Sequence, residues 1–351
     1  MDLPGGDDDL PCHEISFKDA QDDRFVIETE GHLTFTAHTP EAALAALVTA
    51  ASRLALDEDA SRLHLHCAAL SLEGRGVLIS APSGTGKTTL AASLVLQEWT
   101  YISDEAVALS RSPLHVTGFP KPLMIKPGGG ALLPQLGAHH VSLGTSDSQW
   151  WNVPVSRVTR QISEEMDPKL IVILHHGFEG SETMRATPME IHPADTVVAL
   201  MEQTMDAQRF GPDAVNVLAD LASRCNCVSM AVGPLDQAAS ALTDLLRAGA
   251  TGTDVHPIDT SDRSVVDGWR VPEAVRSVLI GDRAVIHDTA EGAIVALDEA
   301  GTGVWRALHG DRPHWLSPDG LETNATKLFL AQLCSRGLLT ESSAHNETGG
   351  A

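Results

Sequence analysis

The stretch from Val77 to Thr89 constrains the fold more than any other part of the chain. A short apolar run, Val77-Leu78-Ile79, ends in a glycine-rich turn, and Lys87-Thr88 then opens a helix-forming segment, Leu90 to Leu96. That order of strand, loop and helix is the pattern of a phosphate-binding loop. Gly84 and Gly86 free the backbone to turn successive N–H groups toward phosphate oxygens. The new helix adds its unpaired N–H groups and the positive end of its dipole. Lys87 supplies a mobile charge for the terminal phosphates, and the Thr88 hydroxyl suits Mg²⁺. Ser83, Gly84, Thr85, Gly86, Lys87, Thr88 and Thr89 are therefore the candidate nucleotide contacts. Ala81 stands where this pattern usually has its first glycine, a difference of one methyl group. A chain built this way is expected to bind a nucleoside triphosphate.

At 351 residues, with 43% hydrophobic and 20% charged residues, the chain suits two packed domains. Aromatic content is only 4% and the net charge is −23, which disfavours nucleic acid and anionic membranes as partners. A polyanion must then be drawn by a local cationic site. The five cysteines, at 12, 67, 225, 227 and 334, lack zinc-ligand spacing and read as buried thiols of a reducing compartment. The doublets His139-His140 and His175-His176 lack a metal-binding frame, and neighbours on a strand point opposite ways. The acidic N-terminus has no basic and apolar signal, and the longest aliphatic run, Leu170 to Leu174, is too short to span a bilayer. A cytoplasmic location is the expectation.

Residues 1–13 read as a disordered acidic lead-in, and short strand-like runs follow between Ile15 and Ala37. Thr39 then caps a helix with Pro40 at its first position, reaching about Leu56. Leu63 to Leu72 is a strand candidate, and Glu73 to Gly76 turns into the strand of the phosphate loop. Tyr101 to Glu105 and Ala106 to Leu109 read as strands around an acidic corner. Residues 111–150, rich in Pro and Gly, read as a functional loop region over the nucleotide. Leu170 to Leu174 is a buried strand, and helices are expected near 193–204, 211–224 and 234–248. The first domain thus spans 14–248. A Gly, Pro, Thr and Asp-rich linker covers 249–265, a small second domain 266–340, and a frayed tail 341–351. Within the second domain, strands at 275–280 and 284–287 meet across Gly281-Asp282. A third strand near 293–297 and helices near 298–309 and 325–336 complete it.

A triphosphate-using enzyme needs a carboxylate for its metal, and a kinase needs another for the acceptor's proton. Leu170 to Leu174 ends in histidines, so the strand-terminal acidic pair near the loop is Asp104-Glu105, seventeen residues after Lys87. One helix fills that interval and returns the chain beside the loop. His66, Gly74 to Ile79, Ser83 to Thr88 and Ile102 to Glu105 together resemble the catalytic core of the HPr serine kinase/phosphorylase family. HPr-kinase-related proteins of peptide-modifying gene clusters are similar over a longer span, roughly 60 to 248. The resemblance implies an ATP-dependent kinase in which Asp104 is the base and Glu105 a Mg²⁺ ligand. It also implies that His66 lies near the transferring phosphate and orients Asp104. The family usually carries Asp-Asp, so Glu105 is a departure. Lys121 and Lys126 are candidates to complete the cationic cage. No segment matches the family's substrate-docking regions.

Residues Ala284 to Asp288, Ala296 to Asp298, Val304 to Gly310 and Leu333 to Leu339 resemble the PqqD-like peptide-recognition domain of ribosomal peptide pathways. That resemblance implies a small winged-helix-like α+β unit, residues 266–340, holding the leader of a precursor peptide as an added strand. From 266 onward there are seven Lys/Arg against twelve Asp/Glu, which argues against a DNA-binding winged helix. The expected fold class is therefore α/β, an HPr-kinase-like phosphate-loop core followed by a PqqD-like domain. The expected activity is transfer of phosphate from ATP to a Ser or Thr hydroxyl of the held peptide. A small-molecule kinase for an amino acid or sugar, and a nucleotide-gated peptide chaperone, are the alternatives. The kinases it resembles are often oligomers, which leaves a homo-oligomer open.

Overall fold

The structure is a computed structural model that describes residues 14–20, 24–29, 32–59, 61–110, 113–119, 121–140, 151–176, 186–249, 252–258, 269–311, 313–314, 316 and 323–341. The lead-in 1–13, Cys12, residues 259–268 of the linker region and the tail from 342 lie outside the described residues. The chain begins with a meander of β1 (Ile15–Ala20), β2 (Arg24–Thr29) and β3 (His32–Ala37), covered by α1 (Pro40–Glu58). Thr39 accepts the Ala42 N–H at 3.2 Å, so the Thr-Pro start of α1 is a capped one.

Next come β4 (Leu63–Leu65), β5 (Cys67–Leu72), β6 (Arg75–Ser80), α2 (Lys87–Leu96), β7 (Thr100–Ser103), β8 (Val107–Leu109) and β9 (Val116–Gly118). They are followed by β10 (Leu123–Ile125), α3 (Pro127–Leu132), β11 (Trp151–Val153), β12 (Glu165–Met166), β13 (Pro168–His175) and β14 (Pro188–Glu190). This part of the chain closes with α4 (Pro193–Met201), α5 (Ala207–Phe210), α6 (Ala214–Ser223), β15 (Asn226–Ala231) and α7 (Leu235–Ala248). Its main sheet has the order β14-β15-β13-β6-β5-β7. β6, β13 and β15 run parallel, which explains their near-continuous apolar sequences: helices cover both faces. On one face α2 and α7 bury Leu90, Leu94, Leu242 and Leu246 against Val77, Ile79, Leu170 and Val172. On the other, α4 and α6 bury Val197, Leu200, Val215 and Leu218 against Leu78 and Ile171. The helices expected near 193–204, 211–224 and 234–248 are present, the first two somewhat shorter.

Two expectations are corrected. Leu63 to Leu72 is not one strand, because β4 pairs with β8 in a separate sheet while β5 pairs with β6 and β7. His66 is the hinge, its N–H donated to the Gln203 carbonyl at 2.8 Å. Residues 111–150 hold β9, β10 and α3 as well as loop, and 141–150 lie outside the described residues. A Cβ on Gly129 would lie 2.6 Å from the Thr89 hydroxyl oxygen, so glycine there lets α3 press against the start of α2.

The C-terminal part contains β16 (Val255–Ile258), β17 (Trp269–Arg270), β18 (Val275–Ile280), β19 (Arg283–Asp288), β20 (Ile294–Ala296), α8 (Glu299–Leu308), α9 (Asn324–Ser335) and β21 (Thr340–Glu341). The hairpin across Gly281-Asp282 forms as expected, with φ +60° at Gly281. The stretch 255–258, expected in the linker, instead pairs with β18 and extends the sheet to β16-β18-β19-β20. One face of this sheet packs on α8 and α9 around the buried Trp305, whose indole N–H donates to Ser277 Oγ at 3.0 Å. The other face buries Val278, Ile280 and Val285 in the same core as α4 and α6. Arg283 closes the seam with two bonds to Asp195, at 2.6 and 2.8 Å, and His192 faces Asp282 at 3.2 Å.

That docking has a testable consequence. Each buried Val or Ile side chain contributes roughly 1.5–3 kcal/mol by leaving water. A chain ending at Gly249 strips three of them from α4 and α6, and it is expected to melt at least 10 °C below the intact chain or to aggregate. An unchanged melting curve would contradict this packing.

Candidate functional site

Strand register brings the site together. β5 runs antiparallel to β6 with Cys67 opposite Ser80, so the residue before β5 lies beside the start of the phosphate loop. β7 pairs with β5 with Ser103 opposite Ala69, so the residue after β7 reaches the same edge. His66, the loop and Asp104 therefore meet at the carboxyl ends of the parallel strands, where open α/β sheets place ligands. They line one cavity of about 630 Å³ together with Glu105, Lys121 and Lys126.

The loop has the backbone its sequence requires. Gly84 and Gly86 take φ +87° and +110°, the left-handed region, and Gly86 is the N-cap of α2. Ala81 is buried in the core beneath, so its methyl occupies space rather than crowding the loop. Ser83, Gly84, Gly86, Thr88 and Thr89 all line the cavity. Thr85 lines it too, yet its hydroxyl donates to the Pro82 carbonyl at 2.9 Å and so braces the turn itself.

Lys87 is 7% exposed, and its Nζ donates to the His66 carbonyl at 3.4 Å. Burial holds its pKa below the ordinary lysine value, with Asp104 and Glu105 pulling the other way. Lys121 Nζ lies 3.2 Å from Asp104 Oδ1 and 3.3 Å from Glu105 Oε2. Burial alone would lower the Lys121 pKa, but the two carboxylates outweigh it and the net direction is upward. Lys126 is exposed at the rim.

The acidic corner between β7 and β8 is as expected, and its two acids have different surroundings. Asp104 is 1% exposed, whereas the Glu105 side chain is 41% exposed. His66 lies beside the acidic pair, its Nδ1 facing Glu105 Oε1 at 3.5 Å. Burial first, and then the Lys87 charge, hold the His66 pKa below its usual value, so the neutral imidazole is its resting form. Asp104 is held by Lys121 and by Tyr101, whose hydroxyl lies 3.1 Å from Oδ1. Burial, then the Asp104 charge, push the Tyr101 phenol well above its usual range, so it remains a hydrogen-bond donor.

The donor set fits a magnesium nucleotide. Mg²⁺ takes hard oxygen ligands and commonly keeps one or two carboxylates plus waters and phosphates. Thr88 and Glu105 offer such oxygens on the cavity wall.

Sequence reasoning missed much of the cavity wall. Val48 and Thr49 come from α1, Met205 from the turn after α4, and Met230 to Gly233 with Leu235 from the end of β15 into α7. Met205 is carried there because its N–H bonds the His64 carbonyl at 2.9 Å, a contact 141 residues apart in sequence with no local signature. Cys67, Cys225 and Cys227 are buried thiols, and burial pushes Cys67 up to about 12. Among the described residues no helix is long and apolar enough to cross a membrane.

No protein-family model matches the chain, and no curated protein matches it. Among solved structures the chain is similar to the Hpr(Ser) kinase/phosphatase from Coxiella burnetii, at 12% identity. The match covers 52% of this chain and 94% of that one, with a TM-score of 0.27.

Proposed function

We propose that this chain is an ATP-dependent phosphotransferase that moves the γ-phosphate to a hydroxyl group. One observation carries the reading: a glycine-turned phosphate loop and a buried carboxylate share one cavity, with two lysines between them. The loop N–H groups and Lys87 bind the phosphates, and Lys121 neutralises the acidic pair until the substrate's charge competes for it. A magnesium ion held by Thr88 and Glu105 would draw charge from the phosphate oxygens. Asp104 accepts the proton of the attacking hydroxyl, and His66 steadies Glu105 from the other side.

The acceptor we propose is a Ser or Thr hydroxyl of a precursor peptide whose leader is held by residues 266–340. The outer edge of β20 supports this. It opens on a groove of about 340 Å³ between β20 and α4, lined by Asp195, Val198, Ala199, Glu202 and Arg336. An extended peptide adding to that edge would gain main-chain bonds from β20 and apolar contact from α4. The runner-up is a small-molecule kinase, which the 630 Å³ cavity also suits in size. Titration of the intact chain with the precursor peptide separates the two. The Ala199→Trp variant fills the groove, and it is expected to weaken peptide binding at least tenfold while leaving nucleotide affinity unchanged. Peptide binding equal in both proteins, or absent from both, would remove the groove from the account.

A further inference from the structure

We infer that Tyr101 is a positioning residue for Asp104, the carboxylate proposed to take the acceptor's proton. The inference rests on the phosphotransferase reading and adds to it the group that aims the base. Asp104 has two oxygens with opposite surroundings. Oδ1 receives the Tyr101 hydroxyl at 3.1 Å and the Lys121 ammonium at 3.2 Å. Oδ2 is buried and has no partner among the described residues, although Asp104 lines the cavity. A buried polar atom left bare is costly, and native structures keep such atoms chiefly where function needs them.

Tyr101 is suited to this task by its own restraint. Its ring is fully buried in the core beneath α2, three residues before Asp104 on the strand that delivers it. The hydroxyl also lies 3.1 Å from the Lys121 carbonyl, so its single proton is shared between the acid and the backbone of the lysine that pairs with it. With two donors on Oδ1, rotation of the carboxylate would break both bonds. In the transfer step the acceptor O–H bond breaks and its proton passes to the Asp104 carboxylate. The acceptor oxygen forms the new bond to the γ-phosphorus of ATP. The bond from that phosphorus to the bridging oxygen breaks, and its electron pair leaves with ADP. Asp104 then returns the proton to water.

The test uses the full chain with Mg·ATP, water standing in for the acceptor hydroxyl and phosphate release as the readout. Tyr101→Phe keeps the ring and removes only the donor. It is expected to lower kcat about tenfold, the order of one lost hydrogen bond, with the KM for ATP within twofold and the fold intact. A kcat within twofold of the unmodified chain would overturn the inference. A second measurement stands even if that variant fails to fold or the chain turns over no ATP. Tyr101 is the only tyrosine in the chain, so ¹³Cζ-tyrosine labelling gives a single resonance. That resonance is expected to move in Asp104→Ala, and an unmoved resonance would show that the phenol does not hold the acid. A moved resonance without any ATP turnover would leave the positioning intact and sink the phosphotransferase reading instead.

Discussion

Lys87→Ala is expected to lower phosphate transfer from ATP by a factor of about 10²–10³ or more while the chain stays folded. Lys87 is 7% exposed, and the hydrogen bond from its ammonium to the His66 carbonyl is long at 3.4 Å. It is therefore bound weakly by the protein itself and is available to charge that develops on the phosphate. Burial disfavours its charged form, so removing it relieves a cost to folding. Alanine is also a good residue in a helix, and Lys87 opens α2. The melting temperature should accordingly stay level or rise. Turnover within tenfold of the unmodified chain would take the phosphate loop out of the mechanism.

Asp104→Asn is expected to cut kcat by about 10² or more with little change in nucleotide affinity. The amide matches the carboxylate in size and can keep an oxygen toward Tyr101 and Lys121, but it cannot take a proton. Glu105→Gln should act differently, because Glu105 is the exposed partner that meets His66 and Lys121 and offers an oxygen to the metal. Its turnover should recover at higher Mg²⁺, and that of Asp104→Asn should not. Identical behaviour of the two variants across a Mg²⁺ titration would contradict this division of labour.

What could be read from the sequence was local. The glycine-turned loop before α2 was legible because Gly84, Gly86, Lys87 and Thr88 are contiguous in the chain. The acidic corner follows because only one helix separates it from Lys87. The hairpin across Gly281-Asp282 and the end of α9 at Gly337, φ +75°, are likewise set by neighbours in the chain. Contacts between distant segments left no such mark. His66 looks like one residue of a long strand, and only pairing with two different sheets makes it a hinge. In the structure the histidine meets Glu105 and the tyrosine meets Asp104, while Lys121 reaches both acids. Tyr101 was in view as part of the strand, but nothing in its spacing says that a hydroxyl three residues upstream would point back at Asp104. The 255–258 stretch reads as linker because His256 and Pro257 are polar or ladder-breaking, yet as an edge strand it tolerates both. The seam between the two units depends on Val278, Ile280 and Val285 meeting α4 and α6, which no local pattern encodes.

The central claim is that loop and acidic pair act together in one cavity to move phosphate from ATP to a hydroxyl. The most direct measurement is incubation of the intact chain with γ-³²P-ATP, Mg²⁺ and the serine- and threonine-bearing precursor peptide, followed by isolation of acid-stable phosphoester. The account predicts label on the peptide hydroxyl with the unmodified chain, and loss of that label in both Lys87→Ala and Asp104→Asn. Label released only as inorganic phosphate, at a rate unaffected by either substitution, would contradict it.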